Sequence, residues 1–232
     1  MAGPKRNAVG ELRARHGVRA GIHGGDASAA MAMRVAYLWL LVLVAIGRLA
    51  ELRISRRNQQ QLEKQGVRKI PEQHFRWMVL LHGGVIVCAG AEVLLLHRPF
   101  IPALAISMAT LFVLANLLRW WVIRTLAGHW NVEVMESSRV GVVSSGPYRW
   151  VRHPNYVAVV VEIFSLPMIH TAWITAIVGT LGDLEILRRR IKVEDGFLMS
   201  NPAYRLAMGG KPRFFPRVFK RGSREPGQEH AA

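Results

Sequence analysis

Two short polar clusters, far apart in the chain, carry residue types that chemistry uses. The first is Arg152-His153-Pro154-Asn155-Tyr156, preceded by Gly146-Pro147-Tyr148. Gly-Pro is a turn signal. Pro154 either breaks the chain again or opens a helix, where its missing N–H costs nothing. Arg152, His153 and Tyr156 then gather at a helix start, and a helix N-terminus favours a carboxylate. The second cluster is Arg190-Ile191-Lys192-Val193-Glu194-Asp195. On a helix, Arg190 and Glu194 stand four residues apart and share a face. A guanidinium holds an oxyanion by charge-assisted bonds, a carboxylate binds hydroxyls or an amine, and a tyrosine face attracts a cation. Each cluster alone also has a plain structural reading, as interfacial anchors or as a solvated helix end. Together, framing one apolar stretch, they suggest a pocket.

The elements that must position them are apolar. The chain has 232 residues, 51% of them hydrophobic, with a formal net charge of +16. Such charge alone would suit a nucleic-acid binder, but the long apolar runs do not, so no nucleic-acid partner is expected. Residues 35–47, 77–91 and 99–118 contain no charged side chain, and 157–182 contains only Glu162. A membrane span needs about 20 apolar residues. The first two runs reach that length only with Arg48, Glu51 and Glu92 at an interface or inside the bundle. The last run, with its flanks, is too long for one helix and is broken at Pro167. It reads as two tilted arms of a helical hairpin, 156–168 and 171–187. The expected fold is therefore all-α: a polytopic membrane protein with about five transmembrane helices and a C-terminal catalytic segment, since only helices satisfy the backbone of such runs in lipid.

Basic residues concentrate in 51–76 and after Leu187, while the hinge between the second and third runs carries only Arg98. The positive-inside rule then puts 51–76, 124–156 and the C-terminus in the cytoplasm. Lys5, Arg6, Arg13, Arg15 and Arg19 conflict with that orientation. Residues 1–30 are accordingly taken as a disordered or dispensable extension, or as preceding a true start at Met31 or Met33. Residues 31–219 form the membrane domain and 220–232 a flexible tail.

Several further residues have two readings. Glu92, Glu162 and Asp183 should face the bundle or water, as packing partners or as functional groups. His82 and His170 read as core or interface residues, and Cys88 as a small core residue. Trp120-Trp121, beside Arg119 and Arg124, looks like a membrane-edge belt. There is no glycine-rich strand–helix fingerprint and no metal-ligand spacing, so no metal is expected.

Gly146-Pro147-Tyr148, the Arg152–Tyr156 motif, a hairpin, and then Arg190 with Glu194-Asp195 together resemble the isoprenylcysteine carboxyl methyltransferase family. The resemblance runs from about residue 35 to 219 and is strongest over 125–205, where Thr125-Leu126 and Trp130 also match the family's entry into its catalytic region. Residues 51–58, Glu-Leu-Arg-Ile-Ser-Arg-Arg-Asn, resemble a bacterial branch associated with methylating long-chain alkylpyrones or alkylresorcinols made by type III polyketide synthases. The resemblance implies S-adenosylmethionine as cofactor, contacted by Tyr148, Arg152, His153, Pro154, Tyr156 and Glu194. It places Arg190 and Asp195 at the family's catalytic Arg and second acidic position. Asp195 departs from the more frequent Glu, and Ala127-Gly128 from the usual Leu-Gly step.

Methyl transfer from a sulfonium is an in-line displacement with an excellent leaving group, so the protein mainly aligns the acceptor and excludes water. The expected activity is O-methylation of a lipophilic acceptor at the bacterial cytoplasmic membrane, with a functional link to a type III polyketide synthase. A prenylcysteine-type carboxylate and a phospholipid amine are the other acceptors, and His129 or Asp195 the candidate base. A sterol-reductase-like enzyme using NADPH, which shares the Arg152–Tyr156 motif, and a non-catalytic membrane scaffold are the alternatives.

Overall fold

The computed structural model describes residues 8–67, 75–132 and 141–216, with side chains described from residue 28 onward. The expected tail 220–232 and the basic residues at 68–69 lie outside the described residues. The described elements are all helical: α1 (Ala8–Lys64), α2 (Phe75–Leu95), α3 (Pro102–Leu126), α4 (Pro154–Met168), α5 (Trp173–Ser200) and the short α6 (Pro202–Met208). Single-turn 3₁₀ helices stand at Ala127–His129 and Gly146–Arg149.

Among the described residues, three helices are long and apolar enough to cross a membrane: Ser28–Lys64 within α1, Phe75–Leu95, and α3 with its 3₁₀ extension, Pro102–His129. Their large side chains point outward: Trp39, Leu43, Leu80, Val87 and Ile106 are all more than 60% exposed. Such a surface is covered by lipid rather than water, and the chain is an integral membrane protein. The α4 helix is apolar but only 15 residues long, a rise of about 22 Å against a hydrocarbon core of about 30 Å. It is not of spanning length by itself.

The last apolar run differs from the sequence expectation in one way. The first helix, α4, ends at Met168 as read, with Pro167 in its last turn and Pro154, left open as a break or a helix start, at its first position. The following helix does not stop near Leu187 but continues to Ser200, carrying the second polar cluster on its final turns. Nothing in that sequence breaks it, and Glu185 pairs with both Arg188 and Arg189 across one turn.

One core cluster joins the ends of the helices remote from the polar clusters. Tyr37 and Leu41 of α1 meet Ala89 and Val93 of α2, Ala105 of α3, and Leu166, Ile169 and Ala172 around the end of α4. Tyr37 donates to the Leu166 carbonyl at 3.2 Å. Close approach of α5 to α2 depends on Gly179, where a Cβ would meet Val85 Cγ2 at 2.7 Å. Small residues permit this packing in membrane bundles.

The acidic residues of the apolar runs differ in what they touch. Glu92 accepts from Thr175 N at 2.8 Å, Ile174 N at 3.2 Å and Thr175 Oγ1 at 2.7 Å, and pairs with Arg98 at 2.8 Å. It thus satisfies orphan donors at the start of α5 from a neighbouring helix. Glu162 pairs with Arg48 at 3.0 Å, and Asp183 is wholly buried. His170 is buried between the rings of Tyr37 and Phe100. Cys88, however, is exposed and not a core residue. The buried stripe of α2 runs through Val85, Ala89, Glu92 and Val93, and Cys88 lies off it.

Candidate active site

The chain enters the site through a tight turn. Gly146 has φ +54°, and a Cβ there would collide with the Thr125 side chain of α3. Glycine is required on both counts, and the turn pins the 146–149 segment against α3. Pro154 at the first position of α4 then fixes Arg152 and His153 immediately before the helix.

The two polar clusters, separated by more than 30 positions in sequence, meet face to face. His153 Nε2 lies 2.8 Å from Asp195 Oδ1, and Arg152 Nη1 lies 3.2 Å from the same oxygen. The Tyr156 hydroxyl donates to Glu194 Oε2 and accepts from Arg190 Nε at 3.0 Å. Arg190 is also held by the Val132 carbonyl and by Met78 Sδ, the latter at 3.1 Å. His153 stacks on Tyr156, with ring centroids 5.3 Å apart. Arg152, His153, Tyr156, Arg190, Glu194 and Asp195 are thus brought to one place, with Pro154 serving as the helix start and Tyr148 on the adjoining turn.

A third segment, which the sequence did not flag, completes the frame. The stretch after α6 lies along residues 152–153: Arg152 N donates to Pro212 O at 3.0 Å and His153 N to Arg213 O at 2.8 Å. Lys211 Nζ donates to the Tyr148 carbonyl at 2.8 Å, and Arg213 Nε to Asp195 Oδ2 at 2.8 Å. A strand-like strap of this kind has no periodicity and leaves no signal beyond its basic residues.

Electrostatics follow from these contacts. Burial alone would raise the Asp195 carboxyl, but the His153 hydrogen bond and charge, with Arg152 and Arg213, outweigh it and hold the group below its ordinary value. Burial, and then the negative charge of Glu194, push the Tyr204 phenol up to about 12 and Tyr148 well above its ordinary value. Both phenols stay neutral across physiological pH.

Tyr148 and Tyr204 border a cavity of about 460 Å³, within the range of small-molecule sites, which Asp195 itself does not line. At its polar end stand Tyr148, Arg152, His153, Asn155, Tyr156, Arg190 and Glu194. Its other end runs down between α1, α2 and α3 to Arg48, Glu51, His82 and Arg119. That deep ionic layer was also missed. Arg119 read as part of a membrane-edge belt, but only Trp120 and Trp121 face outward, while Arg119 is buried against Glu51 at 2.7 Å.

Buried polar atoms without a hydrogen bond indicate what the polar end accepts. Arg152 Nε, Asn131 Nδ2 and Asn155 Oδ1 are buried and unpartnered, and all three residues line the cavity. Such orphans are costly unless a ligand satisfies them. Two donors and an acceptor beside the Glu194 carboxylate suit a zwitterionic amino acid joined to a hydroxyl-bearing nucleoside. The residues present therefore fit S-adenosylmethionine.

The family model described as the isoprenylcysteine carboxyl methyltransferase family matches residues 103–200, a stretch containing both polar clusters. The chain belongs to this family. A Bacillus subtilis (strain 168) protein named "Uncharacterized protein YpbQ" is 30% identical over 158 residues, covering 68% of this chain and 94% of the relative. Membership in the methyltransferase family, with three apolar spanning helices, makes the chain a membrane methyltransferase by family.

Proposed function

We propose that the chain is an S-adenosylmethionine-dependent O-methyltransferase acting on a lipid-like acceptor. The observation that carries this is one continuous cavity running from Glu194, Arg152 and Asn155 at its polar end to a gap between helices α1 and α2, where Leu49, Leu52, Val79 and Ile86 line it beside Arg48, Glu51 and Arg119. One end suits a water-soluble donor and the other a hydrocarbon tail.

The bound cofactor supplies an electrophilic methyl group on a sulfonium. In this reading Arg152 and Asn131 donate to its carboxylate, and Glu194 and Asn155 accept from its amino group or ribose. Tyr148 presents a neutral ring to the sulfonium. Tyr156 acts through its hydroxyl, since one face of its ring is stacked by His153. Arg190, held through Nε by Tyr156, orients the acceptor oxygen by a charge-assisted bond. Asp195 already has three partners, Arg152, His153 and Arg213, so its share is to fix Arg152, His153 and the strap. His129, exposed at the cavity rim, is the nearer candidate for receiving an acceptor proton.

The acceptor we favour is a long-chain phenol or pyrone of the kind a type III polyketide synthase makes, on the resemblance of residues 51–58. A prenylcysteine-type carboxylate is the second candidate, on the family's name. We further propose that α4 and the apolar part of α5 cross as a tilted pair in the cytoplasmic membrane, with the polar mouth in the cytoplasm. The basic residues of 51–67 and 188–192 on one side support that orientation.

The test is transfer of a labelled methyl group from S-adenosylmethionine into lipid extracts by the purified protein in detergent. Label in a methyl ether or methyl ester is the expected result. Label confined to amines, or no transfer, would overturn the reading.

A further inference from the structure

Methylating a hydroxyl releases a proton, and an imidazole stands inside the cavity. His82 of α2 lines it beside Arg48, Glu51 and Arg119. Its Nδ1 lies 2.8 Å from the carbonyl oxygen of Met78, one turn earlier on the same helix. A carbonyl only accepts, so Nδ1 carries the hydrogen. In the neutral ring the lone pair is then on Nε2, which has no hydrogen-bond partner among the described residues. His129, by contrast, is exposed at the rim, and no contact among the described residues fixes its ring.

The same Met78 ties His82 to the reacting end. Its Sδ lies 3.1 Å from Arg190 Nη1. One residue of α2 therefore fixes the His82 tautomer with its backbone and touches Arg190 with its side chain. His82 lies about 6 Å further along the helix axis, a span that an imidazole side chain and one hydrogen bond cover. The charged groups around the ring are Arg48 and Glu51 of α1 and Arg119 of α3. His82 also lines a second cavity of about 30 Å³, shared with Arg48 and with Glu162 of α4. That is room for one water. Glu162 Oε1 is buried and makes no hydrogen bond among the described residues.

We propose that His82 is the general base of the methyl transfer and takes the acceptor's proton at Nε2, in preference to His129 at the rim. This inference rests on the cavity's being the methyl-transfer site. The new O–CH₃ bond forms as the S–CH₃ bond breaks, and the hydroxyl proton passes to Nε2. The sulfonium becomes a neutral thioether and the neutral imidazole an imidazolium, so charge is conserved. The Glu51 and Glu162 carboxylates offset the new cation against Arg48 and Arg119. The proton leaves to water through the polar end when the product departs. A base inside the cavity works where solvent is excluded, which a group at the rim does not.

The test compares two acceptors that differ in acidity. At about pH 8 a long-chain alkylphenol keeps its proton, as tyrosine does, whereas an alkyl nitrophenol of equal chain length is largely ionised. Single-turnover methyl transfer from S-adenosylmethionine to each is measured in detergent. With the phenol, His82→Gln should lose at least about a hundredfold, the lower range of general-base catalysis. With the nitrophenolate, which has no proton to give, the loss should be small. Calorimetry with S-adenosylmethionine checks that the variant is folded. An equal loss with both acceptors would make His82 a packing residue and overturn the proposal. An undiminished phenol rate, or a loss confined to His129→Gln, would overturn it as well. The wild type decides the point even without a folded variant: methylation of the nitrophenolate and not of the phenol would show that no base is at work. A wild type that binds no S-adenosylmethionine would strike the methyltransferase reading, and this inference with it.

Discussion

His153 Nε2 and Asp195 Oδ1, 42 positions apart in sequence, lie 2.8 Å apart, with His153 lining the cavity and Asp195 behind it. With Asp195 ionised, Nε2 carries the hydrogen, and the contact ties the start of α4 to the end of α5. Arg213 adds the C-terminal strap to the same carboxylate. One aspartate therefore closes three segments into a single frame.

The frame has a pH dependence of definite sign. The Asp195 carboxyl is held below its ordinary value in the folded chain. Its contribution to stability is then complete above about pH 4, the unfolded value, and is lost as pH falls through the lower folded value. Melting temperatures measured from neutral to acid pH should show a drop in the wild type that is smaller in Asp195→Asn. The variant should start from a lower neutral-pH value. An identical acid profile in the two proteins would show that the carboxylate does not anchor the strap.

Arg190 and Tyr156 divide the labour differently. Arg190→Lys removes the fork that reaches Tyr156 and the Val132 carbonyl together. Methyl transfer should fall about a hundredfold, the scale of losing a preorganised charged donor, with S-adenosylmethionine affinity little changed. Tyr156→Phe frees Glu194 and should weaken cofactor affinity several-fold, by one hydrogen bond. Single-turnover rates and calorimetry separate the two effects.

Much of this was legible in the sequence, for definite reasons. The runs at 77–91 and 99–118 mark α2 and α3 because lipid demands unbroken apolar helices. Arg152–Tyr156 and Arg190–Asp195 were found because proline fixes a helix start and a four-residue spacing fixes a face. The strap at 211–213 was not legible, since its bonds run through backbone atoms that carry no residue signature. Nor was the Arg119–Glu51 pair, because tertiary packing decides which face of a helix bearing Arg119, Trp120 and Trp121 turns inward. Cys88 was misplaced for the same reason: composition says apolar, but only the helix phase says which side.

Glu92 is a stability residue rather than part of the site. It caps α5 from α2, so Glu92→Gln should lower stability by about 1–2 kcal/mol, the usual cost of losing a good cap. Chemical denaturation in detergent should show this, with cofactor affinity unchanged at temperatures where the protein stays folded. Loss of cofactor binding in the folded variant would reassign the residue.

Among the described side chains, the cavity is bordered from Ala45 onward and the core contacts of α1 begin at Tyr37. Deleting residues 1–30 should therefore leave membrane insertion and methyl transfer intact. Membrane fractionation and activity of the shortened chain check this, and loss of either would give the extension a role.

The most direct test is calorimetric titration of the detergent-purified wild type, Glu194→Ala and His153→Ala with S-adenosylmethionine, S-adenosylhomocysteine and reduced nicotinamide cofactors. The account predicts that the wild type binds both adenosyl compounds and no nicotinamide, and that each variant binds the adenosyl compounds at least about tenfold more weakly. Nicotinamide binding alone, or two variants that bind as the wild type does, would contradict it.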